Sequence, residues 1–367
     1  MLGRLFRVSI FGESHGAGVG ALVDGMPPGI RVSEDYINSE LARRRPGGRL
    51  ASPRREEDKV SILSGIFKGY TTGAPIALFI ANRDVDSSFY ERIKDTPRPG
   101  HADYVARVKY YGYNDYRGGG IFSGRRTAAL VAAGALAKRL LEEHGIRVYS
   151  YVVKIGGVEA RVEPRDSGEF RRLIDESPVK CPDHEASKTM EEVILKARAS
   201  GDSIGSVVET VVFNVPIGLG EPPLDTLDSD IAKAALSIPA AKGIEFGAGF
   251  RLAEMTGSES NDELGIVGGR VTYLSNNSGG IVGGVSNGMP IVFRVVFKPP
   301  STIRREQRTV DLSRMEEVVI RGGGRHDPVI GPRAAPVLEA VTAIVIADHL
   351  LRWSSWKGLG LKMRGEG

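Results

Sequence analysis

Residues 334–351 have the sequence AAPVLEAVTAIVIADHLL, which predicts a helix that is apolar nearly all round. Apolar side chains fall on several of its faces, from Val337 and Leu338 to Val341 and Ile344. A helix of this kind is buried on all sides, so we expect it to lie between two other layers of the fold.

A second long helix is predicted at residues 126–144, where Leu130, Ala133, Ala137 and Leu141 keep a three-to-four spacing and Gly145 follows as a left-handed cap. Shorter helices are predicted after Ser33 and at 189–198 and 229–237, and strands at 5–11, 59–67, 74–81, 147–155 and 203–214. Residues 82–124 show no sustained period and are predicted to form a long functional loop region. Long strands with a few buried helices predict an α+β fold of layered sheets that sandwich the helices.

The chain has 367 residues, of which 41% are hydrophobic, so it has enough apolar material for a large core. No low-complexity linker divides it, and we expect a single domain over residues 1–351 with a mobile tail at 352–367. The segments 123–144 and 331–350 are faintly alike, but Ala-rich helices resemble each other easily, so an internal duplication stays open.

Charge and cysteine content narrow the class of protein. The net charge is only +4, too small an excess for a protein that coats nucleic-acid duplexes. The single cysteine, Cys181, excludes an intramolecular disulfide framework and indicates a reducing compartment, with cytoplasm as the default. No signal peptide and no run of about 18 apolar residues is evident, so no membrane span is expected. The 47 glycines, about 13% of the chain, indicate many sharp turns or close backbone approaches.

Residues 12–16, GESHG, follow the first predicted strand and place His15 between glycines. Histidine exchanges protons near neutral pH, and flanking glycines allow a ligand to approach it. A structural role for this loop histidine is equally compatible with the pattern.

Six arginines lie between residues 43 and 55, separated by glycine and proline: Arg43, Arg44, Arg45, Arg49, Arg54 and Arg55. Arginine binds phosphate and carboxylate bidentately, and a Gly/Pro backbone lets several side chains converge on one small anion. A solvated basic face, a nuclear-localisation signal or an RNA-binding segment would have a similar composition.

Residues 98–103, RPGHAD, bring His101 and Asp103 into one loop with arginine, and Arg107 follows. The tyrosines at 110–116 suit either a packed cap or stacking platforms for single-stranded nucleic acid. Residues 118–125, GGGIFSGR, then open the long helix, where backbone N–H groups can receive an anion.

Three further segments, 276–284 (NNSGGIVGG), 298–302 (KPPST) and 322–328 (GGGRHDP), combine glycine with polar side chains. Lys298, Ser301 and Thr302 suit a phosphate or the edge of a flavin. Asp327 beside Arg325 lies in a cationic setting, so it should stay ionised and able to act as a base. No HxH or HExxH spacing occurs, and we expect no metal site.

Taken in order, GESHG, RRRPGGR, RPGHAD, GGGIFSGRRTA, SNNSGGIVGG, KPPSTI and GRHDP resemble the motifs of the chorismate synthase family. The resemblance covers residues 5–351. It implies a β-α-β sandwich and a cytoplasmic homotetramer.

The resemblance also implies a carbon–oxygen lyase at the last step of the shikimate pathway, which leads to the aromatic amino acids. Such an enzyme converts 5-enolpyruvylshikimate 3-phosphate to chorismate and phosphate by anti-1,4 elimination, and it requires reduced FMN without net redox change. A substrate with one phosphate and two carboxylates would account for basic residues on Gly/Pro loops in a chain of nearly balanced charge. Neither a nucleic-acid nor a membrane partner is then expected.

Matched motifs carry the family's roles to particular residues. His15 resembles the histidine that protonates the reduced flavin, His101 the one near the leaving phosphate, and Asp327 the carboxylate that assists at flavin N5. The implied anion clamp is Arg44, Arg45, Arg49, Arg107, Arg125 and Arg325, with Arg55 as a possible replacement for one member. The implied flavin contacts are Ser123, Ala240, Gly283, Lys298, Ser301, Thr302 and Arg325.

Several positions depart from the commoner family pattern. Arg126 stands where an acidic residue is frequent, Ile121 and Phe122 stand where polar residues are frequent, Pro239 replaces an asparagine, and KPPSTI at 298–303 replaces the frequent KPTSSI. These differences put in doubt any side-chain role carried over to those positions.

Two points stay open at the level of sequence. The compact length favours an external reductant over reduction of FMN by the protein itself with NADPH. The competing classes are a nucleic-acid-binding protein that uses the arginine and tyrosine loops, and a phosphate-ester hydrolase that uses histidine and aspartate.

Overall fold

The structure is a computed structural model that describes residues 1–45, 50, 58–83, 85–323 and 327–358, with side chains as far as residue 356. Its strands are β1 (Arg7–Gly12), β2 (Gly18–Asp24), β3 (Val60–Ile62), β4 (Ile66–Phe67), β5 (Tyr70–Thr71), β6 (Ile76–Ala81), β7 (Arg147–Ile155), β8 (Val158–Glu159), β9 (Ser206–Phe213), β10 (Ala241–Phe246), β11 (Leu264–Val267), β12 (Arg270–Tyr273), β13 (Ile281–Val282), β14 (Val285–Ser286), β15 (Ile291–Phe297), β16 (Glu306–Asp311) and β17 (Glu316–Arg321). Its α-helices are α1 (Glu34–Arg44), α2 (Ser88–Arg92), α3 (Asp103–Lys109), α4 (Thr127–Glu142), α5 (Gly168–Glu176), α6 (His184–Ala199), α7 (Leu227–Leu236), α8 (Gly257–Ser260) and α9 (Gly331–Gly358), and short 3-10 turns cover Arg117–Phe122, Gly124–Arg126 and Gly249–Glu254.

The first sheet has antiparallel strands in the order β1–β2–β6–β3. Every second residue of β6, starting at Ile76, is buried, as expected where one face of a sheet packs on a core. Gly12 pairs with Val19, and Gly18 pairs with Ala81. The loop after β1 and the segment after β6 therefore leave the sheet at the same end.

The second sheet has antiparallel strands in the order β10–β15–β9–β7–β8. Strand β15 buries every second side chain from Ile291 to Phe297. On the opposite face of this sheet, Phe170 of α5 packs against Tyr149 and Tyr151 of β7.

Helices α4 and α9 form the layer between the sheets. Helix α4 packs on β1, β2 and β6, α9 packs on β7 and β9, and the two helices pack on each other. Only Arg139 and Glu142 of α4 are not buried. A Cβ on Gly134 would lie 2.6 Å from the Cα of Ala340, so the absence of a side chain at residue 134 lets the two helix backbones approach.

The carboxylate of Glu339 on α9 is completely buried, and cationic side chains from three other helices neutralise its charge. Arg43 of α1 donates to it at 2.8 and 3.1 Å, Arg171 of α5 donates at 2.8 Å, and Lys138 of α4 forms an ion pair with it. The backbone N–H of Ser150 on β7 adds a hydrogen bond at 3.2 Å. Burial acts to raise the pKa of Glu339, but the three cations outweigh it and hold the pKa well below its ordinary value of 4.5.

The α+β prediction is confirmed. The helix predicted at 126–144 is α4, and the strand predicted at 147–155 is β7. Gly145 has the expected left-handed φ of 70°. Residues 82–124 are less irregular than predicted, because they contain α2 and α3. Helix α9 continues to Gly358, so residues 352–358 of the predicted tail are helical; residues 359–367 lie outside the described residues.

One helix passes a length-and-hydropathy test for a membrane span, although the chain has no uninterrupted run of about 18 apolar residues. Within α9, Gly331–Trp356 contains an 18-residue window with a mean hydropathy of 1.6, which is long and apolar enough to cross a membrane. In the fold 94% of this window is buried. It therefore has the burial of a core helix, as its all-round apolar pattern predicts.

Replacing Gly134 by Ala tests the closeness of the α4–α9 contact. The added Cβ would overlap the backbone of Ala340, and overpacking of this kind costs roughly 1–3 kcal/mol. We expect a lower thermal unfolding midpoint for Gly134→Ala. The matched control is Gly168→Ala in the first turn of α5, where a Cβ would meet nothing within 4 Å; it should be neutral or stabilise by up to about 1 kcal/mol. Equal midpoints for the two variants would contradict this packing.

Replacing Glu339 by Gln should destabilise the fold by roughly 3–5 kcal/mol, because three cations would lose their buried counter-charge. Wild-type Glu339 has a depressed native pKa, so its stabilisation is present above about pH 4.5 and is lost as the pH falls towards that lower native value. The difference in the free energy of unfolding between wild type and Glu339→Gln, measured in urea, should therefore become smaller in acid. The control is Glu176→Gln, which removes the charge from an exposed ion pair with Arg172 at 4.0 Å. It should change the free energy of unfolding little.

Candidate active site

Polar loops gather at the end of the first sheet where β1 ends, β2 begins and β6 ends. Asn82, the first residue after β6, donates to the carbonyls of Glu13 and Gly16 at 2.9 and 3.0 Å. These two carbonyls flank His15 on either side. The side chain of Asn82 therefore fixes the backbone of the loop that carries the histidine.

The imidazole of His15 is contacted on three sides. Its Nδ1 lies 2.7 Å from the hydroxyl of Ser87, and the ring of Tyr90 meets it edge-on with centroids 5.2 Å apart. A Cβ on Gly118 would lie 2.6 Å from its Nε2. Gly118 has a φ of 59° and is the first of three consecutive left-handed glycines that precede α4.

His101 lies in a loop that an ion pair closes. Arg98 donates two side-chain hydrogen bonds to Asp103, at 2.7 and 2.8 Å, and its guanidinium lies 5.3 Å from the centroid of the Tyr90 ring. Burial acts to raise the pKa of Asp103, but the bonds from Arg98 outweigh it and lower the pKa from its ordinary value of 3.8. The Nε2 of His101 lies 2.6 Å from the hydroxyl of Thr302. Tyr90 thus touches both His15 and the arginine that anchors the loop of His101.

The predicted flavin residues after β15 meet the same loop. Lys298 Nζ donates to the carbonyl of Gly100 at 2.7 Å and to Ser301 Oγ at 2.5 Å, and Ser301 donates to the same carbonyl at 3.0 Å. Partial burial and the charge of Lys242 lower the pKa of Lys298 from 10.5. The cation and two hydroxyls, those of Ser301 and Thr302, therefore lie together beside His101.

Two other predicted flavin positions have distinctive backbones. Ala240 has a φ of 72°, which is strained for a residue with a side chain, and its carbonyl accepts from Lys298 N at 3.0 Å. Gly283 lies in the turn between β13 and β14, where a Cβ would meet nothing within 4 Å. Ser123 accepts from the backbone N–H of Arg125 at 3.3 Å at the entrance to α4.

Asp58, which the sequence patterns did not single out, organises two of the predicted clamp arginines. It is completely buried, pairs with Arg44 at 3.2 Å and also pairs with Arg125. Arg125 donates to Asn82 Oδ1 at 2.9 Å, and Arg45 donates to the carbonyl of Asp58 at 2.7 Å. The pairing places Arg125 next to the Asn82 that holds the loop of His15.

Arg44 is itself 3% exposed, and its donors reach Asp58, the hydroxyl of Thr127 at 2.9 Å and the carbonyl of Gly124 at 3.0 Å. Asp327 accepts from Arg333 at 2.7 Å, and Arg333 also donates to the carbonyl of Arg44 at 3.3 Å. A continuous set of contacts therefore links the loop of Asp327 to the Asp58 cluster.

The remaining predictions fall in three places. Arg107 pairs with Asp95 at 2.6 Å, and both line a cavity of about 320 Å³ that Tyr90 and Arg98 also line. Arg126 donates to the carbonyl of Ile121 at 2.7 Å, and burial lowers the pKa of its guanidinium below the ordinary arginine value. The predicted residues that lie outside the described part of the chain are Arg49, Arg55 and Arg325.

The spacing Gly-x-Ser-x-Gly at residues 12–16 is also that of the nucleophile elbow of serine hydrolases. Such an elbow joins a strand to a helix, whereas this segment joins the antiparallel strands β1 and β2. Ser14 Oγ donates to the carbonyl of Arg117 at 3.3 Å. The local geometry is therefore that of a β-hairpin loop and not of a nucleophile elbow.

Histidines, arginines and a lysine lie on loops that contact one another, an arrangement typical of enzymes that act on small molecules. A family profile described as chorismate synthase matches residues 6–351. The chain is 67% identical to the chorismate synthase of Aeropyrum pernix over 95% of its own length and 92% of that protein, and 53% identical to that of Thermococcus kodakarensis over 98% and 99%. A structure titled Crystal Structure of Chorismate Synthase superposes with a TM-score of 0.75 at 35% identity, covering 96% of this chain and 93% of that one. The chain belongs to the chorismate synthase family.

Proposed function

We propose that this protein converts 5-enolpyruvylshikimate 3-phosphate to chorismate and phosphate by anti-1,4 elimination, with reduced FMN, as the last step of the shikimate pathway. The observation that carries this proposal is family membership across residues 6–351. The local geometry is compatible with it, because the loops of His15, His101 and Asp327 are linked through Tyr90, Asn82 and Asp58 to one end of the sheet.

The residues after β15 fit the phosphate-bearing end of FMN. Lys298 and Ser301 offer a cation and a hydroxyl within 2.7 and 3.0 Å of the Gly100 carbonyl, so both point into the same small region. Burial and the charge of Lys242 lower the pKa of Lys298, and a nearby anion would raise it. Thr302, Ser123, Ala240, Gly283 and Arg325 complete the proposed flavin contacts. Bound in its reduced form, the flavin supplies electron density that eases departure of the phosphate and can receive a proton at N5.

Three side chains are proposed to handle protons. His15 would give a proton to the reduced flavin, and His101 would act at the leaving phosphate. Asp327, which accepts from Arg333 at 2.7 Å, would assist proton transfer at flavin N5. Each of these roles is that of a positioned general acid or base.

The arginines divide into contacts and supports. Arg44 is so buried that we propose it positions Asp58 and Arg125 and does not reach the substrate. Arg125 is the proposed anion contact of this cluster, with Arg45 beside it. The other proposed anion contacts are Arg49, Arg55, Arg107 and Arg325.

The reductant and the assembly are also proposals. We propose an external source of reduced FMN and not reduction with NADPH by the protein itself. By register, Leu264, Ile266 and Val271 share one face of the β11–β12 hairpin, and their exposures are 61%, 79% and 69%. A two-stranded ribbon with such a face is typical of an interaction surface, which supports self-association; the homotetramer itself is proposed from family membership. We place the enzyme in the cytoplasm, where it acts on a small molecule without nucleic-acid or membrane partners.

The activity can be tested anaerobically with 5-enolpyruvylshikimate 3-phosphate and photoreduced FMN. We expect release of phosphate and chorismate that stops when reduced flavin is omitted, and no turnover when NADPH is the sole reductant. His15→Ala and His101→Ala should each lower kcat by roughly 10²-fold because proton transfer is lost. His144→Ala, at an exposed turn residue just after α4, is the control and should retain wild-type turnover. Release of phosphate from the substrate without formation of chorismate would contradict the proposal.

Two glycine variants separate the geometry of His15 from backbone strain. Gly118 and Gly119 both have a positive φ, 59° and 84°, so Ala strains the backbone at either position. Only at residue 118 would the new Cβ overlap the imidazole; at residue 119 it would meet nothing within 4 Å. We expect Gly118→Ala to lose at least about tenfold more kcat than Gly119→Ala, in line with the cost of misplacing a proton-transfer group. Equal losses would indicate that the His15 position does not matter.

A further inference from the structure

Ser87 stands at the position that normally caps a helix, yet its side chain does not cap one. It precedes α2 with φ −92° and ψ −6°, and its hydroxyl makes no hydrogen bond to the helix N–H groups. Serine at this position usually accepts such a bond. Here the hydroxyl lies 2.7 Å from Nδ1 of His15 instead.

Helix α2 contributes little to the core. It has five residues, none of them buried. Two consecutive side chains, however, reach the candidate site: Phe89 would be 2.7 Å from a Cβ on Gly323, and Tyr90 contacts both His15 and Arg98. Helix α2 therefore contacts mainly the loops of the candidate site and adds little to the packing between layers.

We propose that Ser87 is a positioning residue for His15: its hydroxyl holds Nδ1, so that proton exchange with a ligand takes place at Nε2. The proposal rests on the proton-transfer role given to His15 above. The contacts on the ring support it, because Ser87 holds Nδ1, Tyr90 meets the ring edge-on, and Gly118 lies so close to the Nε2 edge that any side chain at residue 118 would displace the ring.

The proton balance follows from this arrangement. In the imidazolium form, Nδ1–H donates to Ser87 Oγ while Nε2–H carries the exchangeable proton. When Nε2 gives its proton to the ligand, Nδ1 keeps its own, and a neutral imidazole remains in the same orientation. A group that fixes the second nitrogen of a reacting histidine sets both its tautomer and its direction.

The test is a double-mutant cycle on the holoenzyme, with kcat and KM measured for Ser87→Ala, His15→Ala and the double variant. In the wild-type background, Ser87→Ala should lower kcat by about 10- to 100-fold, as loss of an orienting partner does in other sites, with KM changed less than about twofold. In the His15→Ala background, the same change should have almost no further effect, because the group that Ser87 orients is gone.

Two more variants complete the design. Ser87→Thr keeps a hydroxyl and should restore most of the activity lost in Ser87→Ala. Ser88→Ala removes the adjacent, exposed serine of the same helix and should leave kcat unchanged. Because Ser87 makes no cap bond and α2 buries no residue, Ser87→Ala should fold with a wild-type unfolding midpoint.

The outcomes separate the two levels of inference. If His15→Ala lowers kcat but Ser87→Ala is equally harmful in both backgrounds, Ser87 has a purely structural role and the proposal is overturned. A wild-type kcat for Ser87→Ala would also overturn it. If His15→Ala itself retains full activity, the role proposed for His15 fails first, and the positioning role fails with it.

Discussion

The buried carboxylate of Glu339 is the constraint on which the layered fold depends. An ionised group without solvent is costly unless it is closely paired, and here its partners come from α1, α4, α5 and β7. These elements belong to different layers, so the charge is satisfied only when α1, α4, α5 and the second sheet are assembled around α9. Apolar packing of α4 on α9 supplies the driving force, and the charge cluster selects one arrangement of the layers.

A second buried carboxylate, that of Asp58, is also neutralised by cations from separate elements, at the edge of the candidate site. It pairs with Arg44 from the end of α1 and with Arg125 from the entrance to α4. Through Asn82, Arg125 is tied to the loop of His15, and through Arg333 the Arg44 backbone is tied to Asp327. Side chains from distant segments are thereby oriented before any ligand arrives, which reduces the ordering cost of binding a small anion.

The parts predictable from sequence are those set by local periodicity or by motif order. Helices α4 and α9 and strand β7 follow from spacing that reports burial directly, and the family follows from seven ordered motifs. The organising contacts were not predictable, because they join residues far apart in the chain: Asp58 meets Arg125 67 positions later, and Ser87 meets His15 72 positions earlier. A weak signal existed for Asn82, a polar residue directly after a buried strand, but nothing local distinguishes Ser87 from Ser88.

The arginine run at the end of α1 shows why composition alone gave too coarse an interpretation. Consecutive residues of an α-helix point about 100° apart. Arg43 therefore enters the core and neutralises Glu339, while its neighbour Arg44 turns to Asp58. One short helix end thus joins the charge cluster of the core to that of the candidate site. A shift of α1 that loosened either cluster would disturb the other, so the orientation of Arg125 beside the His15 loop depends on the same helix position that keeps Glu339 neutralised.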